Sequence, residues 1–319
     1  MVKFMQKVPA GTFLFPMLLS ALIYTFFPGV FNIGGVTEAF LGGDHTTFLI
    51  AMITFFSGIG LDVKGLGKLF KRHGVLFIVK LILAIGLSFL YMTLFGQEGI
   101  LGINAMAFTI VMSSINPALY LSLVGSYGED IDTGAFGITS IFAIPVLPLF
   151  IYSFQGGGEF DWMPILSTLI PFFVGMFLGN IDKDFNDIFK GGIAAVVPLL
   201  GWKVGYGLNL LDALQASLVG IVLVIIFYVI MSLMVVTDTL VLKNDGVAAG
   251  SMLGVANASS AFPAMIAASV PAAQPYVSDA TAQILATAII TILVTPIIVN
   301  KLYEKAHGQD DKKKNQQKA

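Results

Sequence analysis

An all-α membrane protein of ten transmembrane helices, built as two inverted five-helix repeats, is the fold class that the sequence predicts, and three observations predict it. The first is composition: of 319 residues, 56% are hydrophobic and 11% charged, and the mean hydropathy is +0.88, well outside the soluble range. The second is the apolar runs, continuous over the roughly 20 residues a helix needs to cross the hydrocarbon, where barrel strands would alternate over about 10. The third is charge placement. With the N-terminus cytoplasmic, fifteen of the 17 lysines and arginines fall on that side and none outside, while Lys80 and Lys203 lie within spans. The positive-inside rule asks for this asymmetry, and a wrong span count would scramble it.

In chain order, spans are expected at about 8–28, 47–62, 74–95, 101–125, 134–154, 162–181, 190–209, 214–236, 246–270 and 279–302. The first apolar run is interrupted by Pro9, Gly11 and Pro16 and is short of positive charge, so it reads as a membrane helix and not as a cleaved signal peptide. Links such as Leu41-Gly-Gly-Asp44, Gly128-Glu-Asp-Ile-Asp132 and Lys243-Asn-Asp-Gly246 are short and leave no room for a soluble domain. Residues 1–155 then form one repeat and 156–303 the inverted second. The tail over 304–319, rich in Lys, Gln and Asp, reads as a disordered cytoplasmic end. Both termini are expected inside.

The fourth span cannot be one unbroken helix. It contains Met112-Ser-Ser-Ile-Asn-Pro-Ala-Leu-Tyr120, and Pro117 lacks an N–H and pushes Asn116 towards extended backbone. A half-helix is expected to restart with Asn116 as N-cap and Pro117 as its first residue. The ninth span contains a partner, Asn257-Ala-Ser-Ser-Ala-Phe-Pro263. Two such breaks in corresponding places point to a transporter's substrate site near mid-membrane. The repeat has further support. Gly58-Ile-Gly-Leu-Asp62 is echoed by Gly205-Tyr-Gly-Leu-Asn209, Pro16 by Pro171 and Pro145 by Pro296, all at offsets of about 140–155 residues. Because five is odd, the second half enters the membrane from the other side.

Ser113, Ser114 and Asn116, with Asn257, Ser259 and Ser260, are the candidate substrate-binding residues, since amides, hydroxyls and freed N–H groups can face an anion. The bland reading of the same residues is that they satisfy backbone at a kink or bridge helices. Tyr120, one turn on, either bonds a substrate hydroxyl or packs. Two readings are open for Lys80, roughly 9–10 Å up its helix at 1.5 Å per residue. It snorkels to the interface, or it is buried at about 2.5–3.5 kcal/mol and is then paired or ligand-facing. Lys203, between Trp202 and Tyr206, reads as an aromatic-belt anchor near the outer end of its span. Asp62 and Asp238 read as interfacial. If protons drive transport, Asp62 is the nearest acid left, although a solvated carboxylate titrates low for a relay. His45, His73 and His307 fall in loops or tail, so no relay histidine or metal site is expected.

The stretch Lys7-Val-Pro-Ala-Gly-Thr-Phe-Leu-Phe-Pro-Met-Leu-Leu-Ser-Ala-Leu22 with Phe27-Pro-Gly29, and Pro171-Phe-Phe-Val-Gly-Met-Phe-Leu-Gly-Asn-Ile-Asp182, together with Asn116, Leu119-Tyr120, Gly134-Ala-Phe136 and Asp245-Gly246, resemble the 2-keto-3-deoxygluconate permeases along the whole chain. The resemblance implies a bacterial inner-membrane secondary transporter of the bile-acid/arsenite/riboflavin superfamily, with panel and core domains. It also implies that discontinuous helices four and nine cross near mid-membrane, and that a small anionic sugar acid is carried in symport with H+ or Na+. By analogy with sodium-coupled superfamily members, Thr139 and Ser140 would complete a cation site beside Asn116. Ser113, Phe142 and Ala268 stand where such permeases carry carboxylates, which makes sodium more plausible than the family name alone implies.

Other classes fare worse. There is no cysteine, no H-E-x-x-H, no paired-Asp motif and no G-x-x-x-x-G-K-[ST], so neither an intramembrane enzyme nor an ATP-driven pump is expected, and no cofactor or nucleic-acid partner. Two alternatives stay open: a sodium-coupled carrier of another organic anion, and a passive channel lined by the broken helices. Oligomeric state is not legible.

Overall fold

The computed structural model describes residues 5, 11–42, 46–133, 135–155, 162–189, 191–206 and 210–316, and every regular element among them is helical. His45, Gly134, Lys190 and Asn209 lie outside the described residues. The first half runs α1 (Gly11–Phe26), a short α2 (Gly35–Leu41), α3 (Thr46–Ile59) and the long α4 (Leu66–Phe95). It continues as α5 (Ala105–Ser113), α6 (Pro117–Tyr127), a single turn α7 (Asp130–Thr133), α8 (Phe136–Ile141) and α9 (Val146–Gln155). The second half holds α10 (Met163–Ile181), α11 (Asp184–Phe189), α12 (Gly192–Tyr206) and α13 (Leu210–Val236). A π-helical turn over Thr237–Val241 extends α13, and α14 (Val247–Ser251), α15 (Phe262–Ser269) and α16 (Val277–Gln316) follow. Short 3-10 turns occupy Asn257–Ala261 and Pro271–Tyr276.

Five stretches among the described residues are long and apolar enough to cross a membrane: Gly67–Phe95, Ala105–Tyr127, Asp184–Tyr206, Leu218–Val241 and Pro271–His307. Helices α1, α3 and α10 are apolar but shorter. Large side chains such as Phe26, Ile82, Phe177, Val229 and Leu240 stand fully on the outside, which only a lipid solvent rewards. The chain is therefore a multi-pass membrane protein.

The helices sort into two groups. In one, α1 packs along α12, and α3 packs along α10 and α12. These contacts run backbone to backbone through small residues: a Cβ at Gly58 would strike the Phe172 carbonyl, and one at Gly205 the Met17 carbonyl. In the other group α13 packs on α16, α4 on α5, and α14 on both α6 and α16. The groups meet where α12 touches the Asn257–Ala261 turn, where α9 packs on α10 and where α3 touches α8.

Three expectations need correction. Helix α4 begins at Leu66, not near 74, so His73 is helical and buried. The fifth span breaks at 142–145, ahead of α9, because Pro145 cannot donate into the helix, whereas Pro296 sits inside an unbroken α16. Helix α16 itself runs on to Gln316, with Lys, Gln, Glu and Ala extending it without a new nucleus. Lys203 is not held by the interface. Its Nζ donates to the carbonyls of Ala39 (2.8 Å) and Gly42 (2.5 Å), closing the C-terminus of α2, while Trp202 Nε1 and Tyr24 Oη both donate to Leu41 O at 2.8 Å.

Candidate functional site

Residues 114–116 and 253–256 leave the helix and cross each other as extended backbone. Asn116 is the N-cap of α6 with Pro117 first in the helix; its Oδ1 accepts from Leu119 N–H at 3.1 Å. In a bilayer each freed backbone group needs a partner inside the protein, and the crossing supplies them. Asn116 N–H donates to Gly254 O (2.7 Å), Ala256 N–H to Ser114 Oγ (2.9 Å), and Ile115 N–H to Phe142 O (3.4 Å), a carbonyl that the break before Pro145 makes available. The hydroxyls of Ser114 and Ser259 meet at 2.9 Å, and Asn116 Nδ2 reaches Val255 O at 3.4 Å. From α16, Thr291 Oγ1 accepts from Val255 N–H (3.0 Å) and Thr295 Oγ1 donates to Leu253 O (2.8 Å).

The approach is close: a Cβ at Gly254 would lie 2.7 Å from Leu119 Cδ2 and 3.3 Å from Asn116 Cβ, so a larger residue there would push the Leu119 side chain aside. The second crossing strand thus precedes Asn257, which opens the 3-10 turn behind it. Thr291→Val, isosteric but unable to accept, leaves a buried N–H unpaired. It is expected to lower stability by about 1–3 kcal/mol, read by thermal unfolding in detergent.

Most of the site's hydroxyls are tied locally. Ser113 Oγ donates to Thr109 O (2.6 Å), Ser260 Oγ to Asn257 O (2.7 Å), and Thr139 and Ser140 both to Phe136 O (2.8 and 2.9 Å). Their oxygens keep lone pairs for a cation. Tyr120 is fully buried and its hydroxyl donates to Asp132 O at 2.9 Å, away from the crossing. Asp62 is exposed, and its Oδ1 accepts from Lys64 N–H in a turn at the end of α3. Asn257 differs from all of these: its Oδ1 is buried with no hydrogen-bond partner. An unpaired amide oxygen at the junction with α12 is what a ligand's donor would satisfy.

Lys80 does not snorkel. It lies halfway along α4, fully buried, with Nζ 5.3 Å from the Phe227 ring centroid and 3.7 Å from Met231 Sδ. Among the described residues no carboxylate pairs with it. One turn before it, Phe77 stacks on Phe142, whose carbonyl holds the first break. Lys80 is thus one helical turn along α4 from a residue that packs on the first break.

The structure also assembles a polar cluster that single-residue reasoning along the sequence missed. His73 Nε2 is 3.0 Å and Arg72 Nε 3.5 Å from Asp132 Oδ1. Arg72 Nη1 donates to Asn244 Oδ1 at 2.6 Å, and Asn244 Nδ2 donates to Asp238 Oδ1 at 2.7 Å. Burial by itself would raise the Asp132 carboxyl, but the His73 imidazole, the Glu129 N–H and the charges of His73 and Arg72 outweigh it and hold the group below the usual carboxylate range. The signal available in the sequence was spacing: His73 and Lys80 are two turns apart on one face of α4.

With this geometry in view, comparison with known proteins is informative. A family model described as 2-keto-3-deoxygluconate permease matches residues 2–308. The chain is 30% identical over 313 residues, 98% of each protein, to 2-keto-3-deoxygluconate permease 1 of Salmonella typhimurium. It is 29% identical over 299 residues to the 2-keto-3-deoxygluconate permease of Bacillus subtilis, covering 92% of this chain and 90% of the relative.

Proposed function

The chain belongs to the 2-keto-3-deoxygluconate permease family, and on that premise we propose that it carries 2-keto-3-deoxygluconate or a closely similar sugar-derived 2-keto acid into a bacterial cell by cation-coupled symport. It is a transporter and not an enzyme. The observation that carries the proposal is the crossing itself, where two interrupted segments satisfy each other's backbone and leave Asn257 Oδ1 unpaired. Asn116, Ser114 and Ser259 frame the place, Ser113, Ser260 and Tyr120 buttress it, and Lys80 offsets the negative charge of the substrate. A carboxylate dehydrated inside a membrane needs such an offset.

Alternation of access follows if α1, α3, α10 and α12 form a panel and the remaining long helices a core that moves against it. The reciprocal pairing of α1 with α12 and of α3 with α10 supports inverted repeats, since exchanging the halves maps one pair onto the other. The one-sided basic residues support cytoplasmic termini. Thr139, Ser140 and Asn116 are the proposed cation contacts, with Asp62 a poorer proton carrier because it is exposed. The alternative carrier reading, sodium-coupled uptake of another organic anion, uses the same site.

Uptake of labelled 2-keto-3-deoxygluconate into vesicles, with sodium and pH gradients imposed separately, tests the proposal. Saturable uptake that accumulates under one gradient is expected. Flux without saturation would mean a channel, and no uptake under either gradient would overturn the substrate.

A further inference from the structure

The buried cluster at the Leu66 end of α4 has no part in the crossing, yet it is built like a site. It joins four elements. Helix α4 gives Arg72 and His73, the α7 turn gives Asp132, the π-helical extension of α13 gives Asp238, and the link after it gives Asn244. A π-helical turn is a recurrent mark of function in a long helix. Asp238 is fully buried, and its Oδ2 has no hydrogen-bond partner although Oδ1 is held by Asn244. Other charged groups nearby are Glu129, whose side chain is 67% exposed and 3.6 Å from Arg72, and Asp245, itself 3.9 Å from His307 of α16. Glu129 faces water, which screens it, whereas the Asp245 side chain is only 20% exposed and adds a second negative charge near Asp238.

Within the cluster the charges close. Arg72 and Asp132 offset each other, the latter kept ionised by its neighbours. That leaves one imidazole and one carboxyl, and their sum is zero only when they hold a single proton between them beyond neutral imidazole and ionised carboxylate.

We infer that His73, Asp132, Arg72 and Asp238 form a proton site in which one exchangeable proton is shared between the His73 imidazole and the Asp238 carboxyl, and that its occupancy sets how transport responds to pH on that side of the membrane. Loss of the proton to water takes the cluster from zero to −1, and uptake reverses it; no other bond changes. The link to transport is Tyr120, one turn along α6 from Asn116, whose hydroxyl is bound to Asp132 O. The inference rests on the carrier reading only for this last step.

Infrared titration of the purified protein tests the site without transport. A protonated-carboxyl stretch is expected that appears as pH falls. It should be missing from Asp238→Asn, moved in pH in His73→Gln, and moved less in Asp245→Asn. In reconstituted vesicles, substrate exchange at varied pH should lose its step in Asp238→Asn. No titrating carboxyl band, a band that survives Asp238→Asn, or a band indifferent to His73→Gln would each overturn the inference. If the band behaves as expected but no substrate is exchanged by the wild type, the proton site stands and the carrier reading fails. A band as expected with a pH step intact in Asp238→Asn would overturn the link to transport.

Discussion

Asn257→Ala is expected to reduce uptake by about 10- to 100-fold while leaving folding and expression unchanged. The reasoning starts from an imbalance. Several backbone groups of the crossing are paired, but Asn257 Oδ1 is buried with no partner, so its removal breaks no hydrogen bond of that oxygen in the resting protein. If the oxygen instead accepts from a substrate hydroxyl or helps hold the coupling ion, the loss is that of one interaction with a ligand of charged character, about 1.5–3 kcal/mol. Asn116→Leu is less informative, because Asn116 also caps α6 and reaches Val255 O, and a failure would mix folding with binding. Transport by Asn257→Ala at the wild-type rate, in protein of wild-type stability, would remove Asn257 from the site.

Lys80→Met is expected to raise thermal stability and to abolish transport together. Met matches the length of the aliphatic stem and suits the slot between Phe227 and Met231. Burial of an ammonium with only a ring face and a thioether for company is unfavourable to the fold, by about 2.5–3.5 kcal/mol on insertion scales, and the substitution relieves it. A substrate carboxylate brought to the crossing then finds no positive charge. Truncating one member of a buried charge pair costs about 2–5 kcal/mol, so uptake should fall at least about 30-fold. Melting curves in detergent beside uptake rates decide the matter. A variant that transports normally, or one that is less stable, would make Lys80 a structural residue.

The breaks were legible because their chemistry is local. Pro117 has no N–H, Asn116 is a good cap, and amides and hydroxyls inside an apolar run have few other uses, so α6 begins where the residues say it should. The second crossing strand was less legible. It includes Gly254, which packs closely on the Leu119 and Asn116 side chains, and a glycine among alanines announces helix packing just as readily. The break ahead of α9 was hidden for the same reason: Pro145 alone does not say whether a helix kinks or stops, and Pro296 does not stop α16. The acid cluster was out of reach. Arg72, His73, Asp132 and Asp238 each lie near the end of a predicted span, where a charge is ordinarily solvated, and only the early start of α4 and the π-helical extension of α13 turn them inward. Lys203 was misread because its partners, the carbonyls closing α2, belong to a helix that the hydropathy pattern did not announce.

The central claim is that substrate binds where the two interrupted helices cross, and the absence of native cysteine makes it directly measurable. Ala258 lies in the 3-10 turn beside Asn257 and is only partly buried, so Ala258→Cys introduces one small thiol at the crossing of an active carrier. Saturating 2-keto-3-deoxygluconate should slow modification of that thiol by a methanethiosulfonate reagent. A rate of modification that is the same with and without substrate, in protein that still takes the substrate up, would contradict binding at the crossing.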